Sequence, residues 1–469
     1  MTAHSTYTHY TYKIVFQSFT SITVCLCLLS VLPTSLSAQE VAPKPAYPSF
    51  QLSGQVRYRG ELDGRFFDAA AKPLFLNLLR TQIGVKALLN EDITAFAQVQ
   101  DSRNFGEEQD GSWRGTLDGR ADNLDLRQAW LEWRNFLAPN LTLKLGRQTF
   151  STNNERLIGT LDWHNIGRSY DGATLIYTTT DKWQARGFGF LLGNDELLMT
   201  SADRQNPQAL MGIDVTIPWQ QALNVYLYHD RAERKVRPSA FTAMGDSTTF
   251  QRYTAGLYLK NSIDGWEYEF EGAYQFGTKH DVPSLGQTTS IGAYLITGYF
   301  GKRFVSATQS ASVGVGVDFY TGDDTSTPNK SEGFNHLTTT IHKFYGYMDF
   351  LPFTILPSTG LRRAPAITNF GLLDPYLRIT YAPDTKTDLY LAGHYFMAQQ
   401  SQSFPSSIAN KAIGIEIDAT INYKITSFLT AQMGVSAFLP GEIMRETNAS
   451  RGLGRDIGYW SYAMLTATF

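Results

Sequence analysis

The chain is nearly devoid of cysteine. Its 469 residues hold two, Cys25 and Cys27, both inside an N-terminal apolar run. Removal of that run would leave a mature protein without cysteine, which excludes disulfides and thiolate metal sites. Beyond Ala38 there is also no uninterrupted apolar stretch long enough for a membrane-spanning helix. Charge of one sign is lacking too. The 40 Lys and Arg nearly balance 43 Asp and Glu for a net charge of −3, so bulk charge gives no reason to expect nucleic acid as a partner. Amphipathic helical periods are scarce, although a soluble chain of this size ordinarily divides into domains. Aromatics, at 13%, and glycine, with 39 copies, are plentiful.

The N-terminal run, Ile14 to Leu32, follows a short stretch carrying Lys13 and precedes the small residues Leu36-Ser37-Ala38. That order predicts a secretory signal peptide over 1–38, cleaved on export; the alternative is an anchor that stays attached. Residues 39–49, with several prolines, read as an extended lead-in.

From 50 to 469 the dominant pattern is alternation. In Leu52-Gly54-Val56-Tyr58 the apolar side interleaves with Gln51, Ser53, Gln55, Arg57, Arg59 and Glu61. Trp266, Tyr268, Phe270, Tyr274 and Phe276 oppose Glu267, Glu269, Glu271 and Gln275 in the same way, and Ile413, Ile415, Ile417 and Ile421 oppose Glu416, Asp418, Thr420 and Asn422. Successive side chains on a strand point to opposite faces, so each segment has one apolar and one polar face. The last segment ends on the terminal residue, with Phe469, Ala467, Leu465 and Ala463 on one side and Thr468, Thr466, Met464 and Tyr462 on the other. A closing strand with a terminal aromatic is usual in outer-membrane barrels. Only helices and closed barrels satisfy every backbone group in lipid, so a helix-poor chain with an export signal is expected to be a barrel. Its partners would then include outer-membrane lipid and the barrel-assembly machinery.

The connections set the strand count. Short ones such as Asn90-Glu91-Asp92, Phe136 to Asn140, Thr180 to Lys182 and Pro383 to Lys386 alternate with long ones such as Arg103 to Asn123, Phe150 to Ser169 and Ala232 to Thr249. Short periplasmic turns, long external loops and an even strand number predict an all-β transmembrane antiparallel barrel of about 18 strands, with one pair uncertain near 191–217. Such a barrel leaves an aqueous lumen that its side chains do not fill. The loop 322–369 is far longer than routine and carries His336, His342, Lys343, Tyr345 and Asp349. A loop of this kind is expected to be a packed functional element that folds inward as a constriction; an external cap is the alternative.

At this point the residues resemble a known family. Leu145-Gly146-Arg147-Gln148, Glu155-Arg156-Leu157-Ile158-Gly159, Trp163-His164-Asn165 and Arg168-Ser169-Tyr170-Asp171 are similar to the core signature of the alginate-export family of outer-membrane proteins. Leu126-Arg127-Gln128-Ala129-Trp130-Leu131-Glu132 and His342-Lys343-Phe344-Tyr345-Gly346 match in compatible order. The resemblance implies a monomeric eighteen-stranded barrel with an arginine-rich constriction for an anionic polyuronate.

Alternation places Arg57, Arg59, Arg80, Lys86 and Lys144 toward the lumen, while Arg147, Arg156 and Arg168 flank or lie within the following connection. With Arg127 these form a candidate pathway, because guanidinium groups keep their charge and match carboxylate geometry. The alternative for each arginine is bracing against an acid such as Glu61, Glu132 or Glu155. The expected function is therefore a channel for anionic polysaccharide, with a periplasmic export apparatus as a further partner class. The rival is a selective porin for small anionic or sugar-like solutes. An outer-membrane enzyme is disfavoured, since no histidine has metal spacing or an identifiable nucleophile beside it, and no cofactor is expected. Asp323-Asp324 reads as a solvated acidic turn rather than a calcium site.

Overall fold

The computed structural model describes residues 46–65, 67–104, 124–192, 208–218, 222–233, 247–282, 288–324, 326–350, 370–400, 411–450 and 454–469. The segment expected to be a signal peptide, most of the expected lead-in and the far part of the long loop, 351–369, lie outside the described residues. Eighteen wall strands follow one another in chain order. They are β1 (Ser49–Gly64), β2 (Leu74–Leu88), β3 (Ile93–Asn104), β4 (Asp125–Trp133), β5 (Leu141–Gln148) and β6 (Tyr170–Thr178). Next come β7 (Gln184–Leu192), β8 (Gln208–Ile217), β9 (Leu223–Glu233), β10 (Ser247–Ile263), β11 (Trp266–Val282) and β12 (Thr288–Val305). The wall ends with β13 (Ser310–Tyr320), β14 (Leu372–Ala382), β15 (Thr387–Met397), β16 (Ala412–Lys424), β17 (Leu429–Pro440) and β18 (Gly458–Thr468).

Each strand pairs antiparallel with its neighbour, and β18 pairs with β1 from Gln55↔Thr468 to Gly64↔Tyr459. The sheet therefore closes and leaves no edge. At the seam the Gly54 amide donates to the Phe469 carbonyl at 2.8 Å, and the Phe469 ring lies where a Cβ on Gly54 would sit. A two-residue strand, Lys330–Ser331, adds parallel to β12 outside the wall, and the described residues also hold a nine-residue helix, α1 (Glu442–Ser450), and a 3-10 turn at Ile341–Lys343.

The alternation holds in three dimensions. Val56, Tyr58 and Leu62 of β1 face outward and are exposed, whereas Arg57, Arg59, Glu61 and Asp63 face inward and are buried. Exposed Ile415, Ile417 and Ile421 likewise back onto buried Glu416, Asp418 and Thr420. An apolar exterior of this extent is stable only against lipid. Trp266 stacks on Phe300 at 5.0 Å near the short-turn end, with the Lys302 ammonium 4.7 Å above the Trp266 ring, an arrangement suited to the membrane interface. The uncertain pair is β7 and β8, in register from Gln184↔Thr216. Strands β10 to β12 span 17, 17 and 18 residues, more than the roughly 9–11 that cross a bilayer, so this hairpin region continues beyond the hydrocarbon.

The buried core lies inside the barrel. Leu157, Ile158, Phe334, Tyr345 and Met348, all from connections, pack with inward aromatics such as Phe190, Tyr228, Tyr320, Phe396 and Phe438. The lumen is thus filled by the protein's own loops at this level.

Candidate functional site: a two-loop constriction

The described part of the long connection after β13, up to Phe350, packs inside the barrel, but it does not act alone. The connection after β5, 149–169, enters the lumen beside it. The two join through a parallel bridge, Ile158↔Thr338, with Gly159 N–H donating to the Thr338 carbonyl at 2.9 Å and Thr338 N–H to the Leu157 carbonyl at 2.9 Å. Thr340 N–H reaches the Glu155 carbonyl at 3.0 Å. Both are written below as the first and second inner loops.

Backbone drawn into a lumen still needs hydrogen-bond partners, and wall side chains supply them. On one side the donors are arginines. Arg57 donates to the carbonyls of Asp162 and His164 at 2.8 and 2.9 Å, and Arg59 to that of Trp163 at 2.7 Å. Arg80 reaches the Asp162 carbonyl and carboxylate, each at 3.0 Å, and Gln55 at 2.6 Å. Arg127 donates to Ser169 Oγ at 3.0 Å. Its inward aim comes from a bulge: Gln98 pairs with Gln128 and Val99 with Leu126, leaving Arg127 as the extra residue. Partial burial would raise the Asp162 carboxyl, but Arg80 outweighs it and holds that group below its usual range.

On the opposite side the partners are acids. Glu416 accepts the Met348 N–H at 2.7 Å, and Asp418 the Tyr347 N–H at 3.3 Å and the Ser436 hydroxyl at 2.5 Å. The turn preceding them needs Gly346: its φ is +79°, and a Cβ there would sit 2.3 Å from Glu416 Oε1. Arg156, fully buried, crosses from the first inner loop to Asp318 at 2.6 Å and Tyr345 Oη at 3.1 Å, under the Phe344 ring at 4.1 Å. Burial alone would lower the Arg156 guanidinium, but Asp318 and Glu271 hold it well above its ordinary value. Arg168 binds the carbonyls of Gly159, Thr338 and Thr339, tying the inner loops together. His336 is buried beside Tyr345 Oη at 3.4 Å; burial, then Arg156, pushes its imidazole down to about 3, so it stays neutral.

Between the inner loops and β15 runs an aromatic column that no sequence pattern announced. The Trp163 ring stacks on His342 at 4.0 Å and 3°, His342 on Tyr347 at 4.5 Å, and Tyr347 on Tyr390 of β15 at 5.4 Å. Arg59 covers the other face of the column at 4.3 Å from Trp163. His342 Nδ1 lies 3.2 Å from Asp349. Beside the column are two cavities that share His342 and Lys343. One, about 450 Å³, is bordered by Arg57, Arg80, Asp162 and Glu155; the other, about 390 Å³, by Lys260, Tyr299, Tyr376 and Arg378. Lys343 is half exposed and pairs with Glu155 at 3.2 Å.

The sequence-based pathway is therefore corrected in part. Arg147 shares the outward face of Leu143 and Leu145 and pairs with Asp171 at 2.8 Å, so it does not line the lumen. Arg57, Arg59, Arg80, Arg127, Arg156 and Arg168 lie inside but are engaged in holding loops. Lys86 and Lys144 face inward toward the short-turn end, Lys144 over the Trp130 ring at 4.0 Å. His394 faces inward on β15 and meets Asp374 at 2.9 Å. Asp324 caps its own turn through Ser326. Among the described residues no cluster of acids, histidines or cysteines is arranged to hold a metal. Arg378 and Lys260, absent from the sequence-based pathway, also face inward, at positions that follow from the same alternation.

A closed barrel with an apolar exterior and a pore narrowed by its own loops defines an outer-membrane channel, and its place is the bacterial outer membrane. More particularly, the chain belongs to the alginate export family, whose model matches residues 47–453. Similar solved structures include OccAB3 of Acinetobacter baumannii (TM-score 0.56, 10% identity, 90% of this chain and 99% of that one). OccK9 (OpdG) of Pseudomonas aeruginosa gives 0.54 at 14% identity, covering 90% and 98%. A BenF-like porin from Pseudomonas fluorescens gives 0.53 at 9%, covering 90% and 98%. At such identities the likeness is one of fold. A search of curated proteins found no match.

Proposed function

We propose that the channel passes an anionic polysaccharide, a polyuronate of the alginate kind, past the aromatic column. The observation that carries this reading is the pair of cavities meeting at Lys343 in a member of the alginate export family. Lys343 borders both cavities and Arg378 and Lys260 the second, while Arg57 and Arg80 behind the first are engaged with the inner loop, so a chain of carboxylates meets its cations where the cavities join and beyond. In a water-filled lumen such fixed charges attract anions without holding them irreversibly. The surroundings are outer-membrane lipid; net direction comes from gradients and from a periplasmic apparatus that delivers or removes the polymer. A second reading, a porin for small anionic solutes, is favoured by cavities whose volumes suit single small ligands.

Single-channel recording in planar bilayers separates these readings. Polymannuronate should interrupt the current while a neutral polysaccharide of equal length should not, and reversal potentials should favour anions. Blockade by small sugar acids with none by polymannuronate would select the second reading.

A further inference from the structure

Where β16 seats the second inner loop it presents two carboxyls, Glu416 and Asp418, both inward and both fully buried. Their side chains hydrogen-bond to each other. An ionised carboxylate only accepts, so that contact needs a proton on one of the two. The other contacts say which. Asp418 takes the Ser436 hydroxyl at 2.5 Å on one oxygen and the Tyr347 N–H at 3.3 Å on the other, as an anion does. Glu416 takes the Met348 N–H on Oε1 at 2.7 Å, while its Oε2 is buried with no donor. A buried oxygen that nothing donates to is where a carboxyl O–H belongs. Bases near the pair are each matched to another acid. His394 of β15, opposite Glu416 in register, has Asp374 of β14 at 2.9 Å, and His342 of the loop has Asp349 at 3.2 Å. Arg65, just after β1, donates to the Met348 carbonyl at 2.9 Å and holds Asp63 at 2.9 Å. Tyr347 of the loop, Tyr390 of β15 and Tyr462 of β18 also face Asp418 and supply no positive charge; β17 brings Ser436 and Phe438.

We propose that Glu416 and Asp418 share one proton at neutral pH and that this proton latches the second inner loop in place, so that alkali, by removing it, loosens the constriction. Two ionised carboxyls in contact and out of water repel, with no cation here to offset their lost hydration. Asp418 is fixed to β17 through Ser436, so Glu416 is the side chain that swings away once its proton passes to hydroxide. The loop moves with it. Gly346 lies so close that a Cβ there would sit 2.3 Å from Glu416 Oε1, and the next two amides are the ones the pair accepts. Tyr347 belongs both to that turn and to the aromatic column, between His342 and Tyr390. One proton on the wall thereby controls the rings inside the lumen. The latch concerns how the constriction is held and is independent of which solute passes.

The test records the full barrel in planar bilayers, with potassium chloride as the only solute, from neutral pH to about 9, below the ordinary range of lysine and tyrosine. Conductance of the parent should rise about twofold over that range, less than removal of the whole loop would give. Glu416→Gln copies the protonated carboxyl, its amide donating to Asp418 and its oxygen accepting the Met348 N–H. This variant should keep the parent's conductance at neutral pH and lose the alkaline rise. Infrared difference spectra, parent minus Glu416→Gln at neutral pH, should contain the carbonyl stretch of a protonated carboxyl. Should Glu416→Gln not assemble, Asp418→Asn replaces it: the pair then carries one charge without a proton, so both the alkaline rise and the infrared band should again be lost. A parent conductance flat over the range overturns the latch, as does the absence of that band. Raised conductance of Glu416→Gln at neutral pH overturns it too, because the loop would then need an ionised Glu416. An alkaline rise that survives in Glu416→Gln and vanishes in His394→Gln assigns the response to Asp374 and His394 instead, and the latch falls.

Discussion

The two walls that hold the inner loops solve one problem with opposite chemistry. On β1, β2 and β4, arginines donate to loop carbonyls at Asp162, Trp163 and His164. On β16, Glu416 and Asp418 accept loop amides at Tyr347 and Met348. Each wall carries the charge complementary to the backbone groups that its loop presents, because backbone withdrawn from water must be paired. An inward charge in this barrel is therefore first a structural partner. Only cations left over from that task, Arg378 and Lys343 above all, remain for a solute.

The most drastic way to break the comparison is to remove what the acidic wall holds. Deleting Asn335 to Asp349 should raise single-channel conductance severalfold, since a barrel of this width without its inner loop is roughly an open aqueous pore. Unchanged conductance in a correctly folded deletion would return the constriction to the first inner loop and the wall.

Next in size is Arg156→Ala, which strands Asp318 and Glu271 in a buried setting. Breaking a buried pair costs about 3–5 kcal/mol, so the heat-modification midpoint should fall sharply. Arg80→Gln should cost less, because Asp162 keeps Arg57 nearby and is itself 59% exposed. Its expected signature is a noisier open channel as the 160–165 segment loosens, with little loss of assembly.

Acid should weaken the packing around His336. The buried imidazole titrates near 3, whereas the unfolded one takes its proton below about 6.5. The unfolded state then binds more protons, so the contribution is complete above about 6.5 and declines as pH falls toward 3. His336→Gln should flatten that part of the pH dependence of heat modification; an identical profile would remove His336 from the account. The smallest effect is expected from Arg147→Gln. With Arg147 on the outer face, the reversal potential should not change, and a shift toward cations would put it back in the lumen.

Much of the barrel was legible from alternation. The period of two assigned Val56 and Tyr58 to lipid and Arg57 and Arg59 to the lumen, and the short turns at Asn90, Thr180 and Pro383 fixed how strands pair. The ends of β10 to β12 are not legible in the sequence, because Thr278 to Asp281 and Gly301 to Arg303 extend the ladder past the apolar band, where alternation no longer marks the strand. Arg147 lies beside a loop that enters the lumen, but the parity it shares with Leu145 puts its side chain on the outer face. The aromatic column was invisible, since Trp163, His342, Tyr347 and Tyr390 come from two loops and a strand with no shared period.

Sequence alone determined that this chain closes into a barrel in lipid, because a residue's face on a strand depends only on its parity and the lipid accepts only one kind of face. Tertiary structure alone decided which inward charges are spent and which are free. That depends on which loop carbonyls and amides arrive opposite each side chain, a matter of contacts between residues more than a hundred positions apart, such as Arg57 with Asp162 and Arg156 with Asp318.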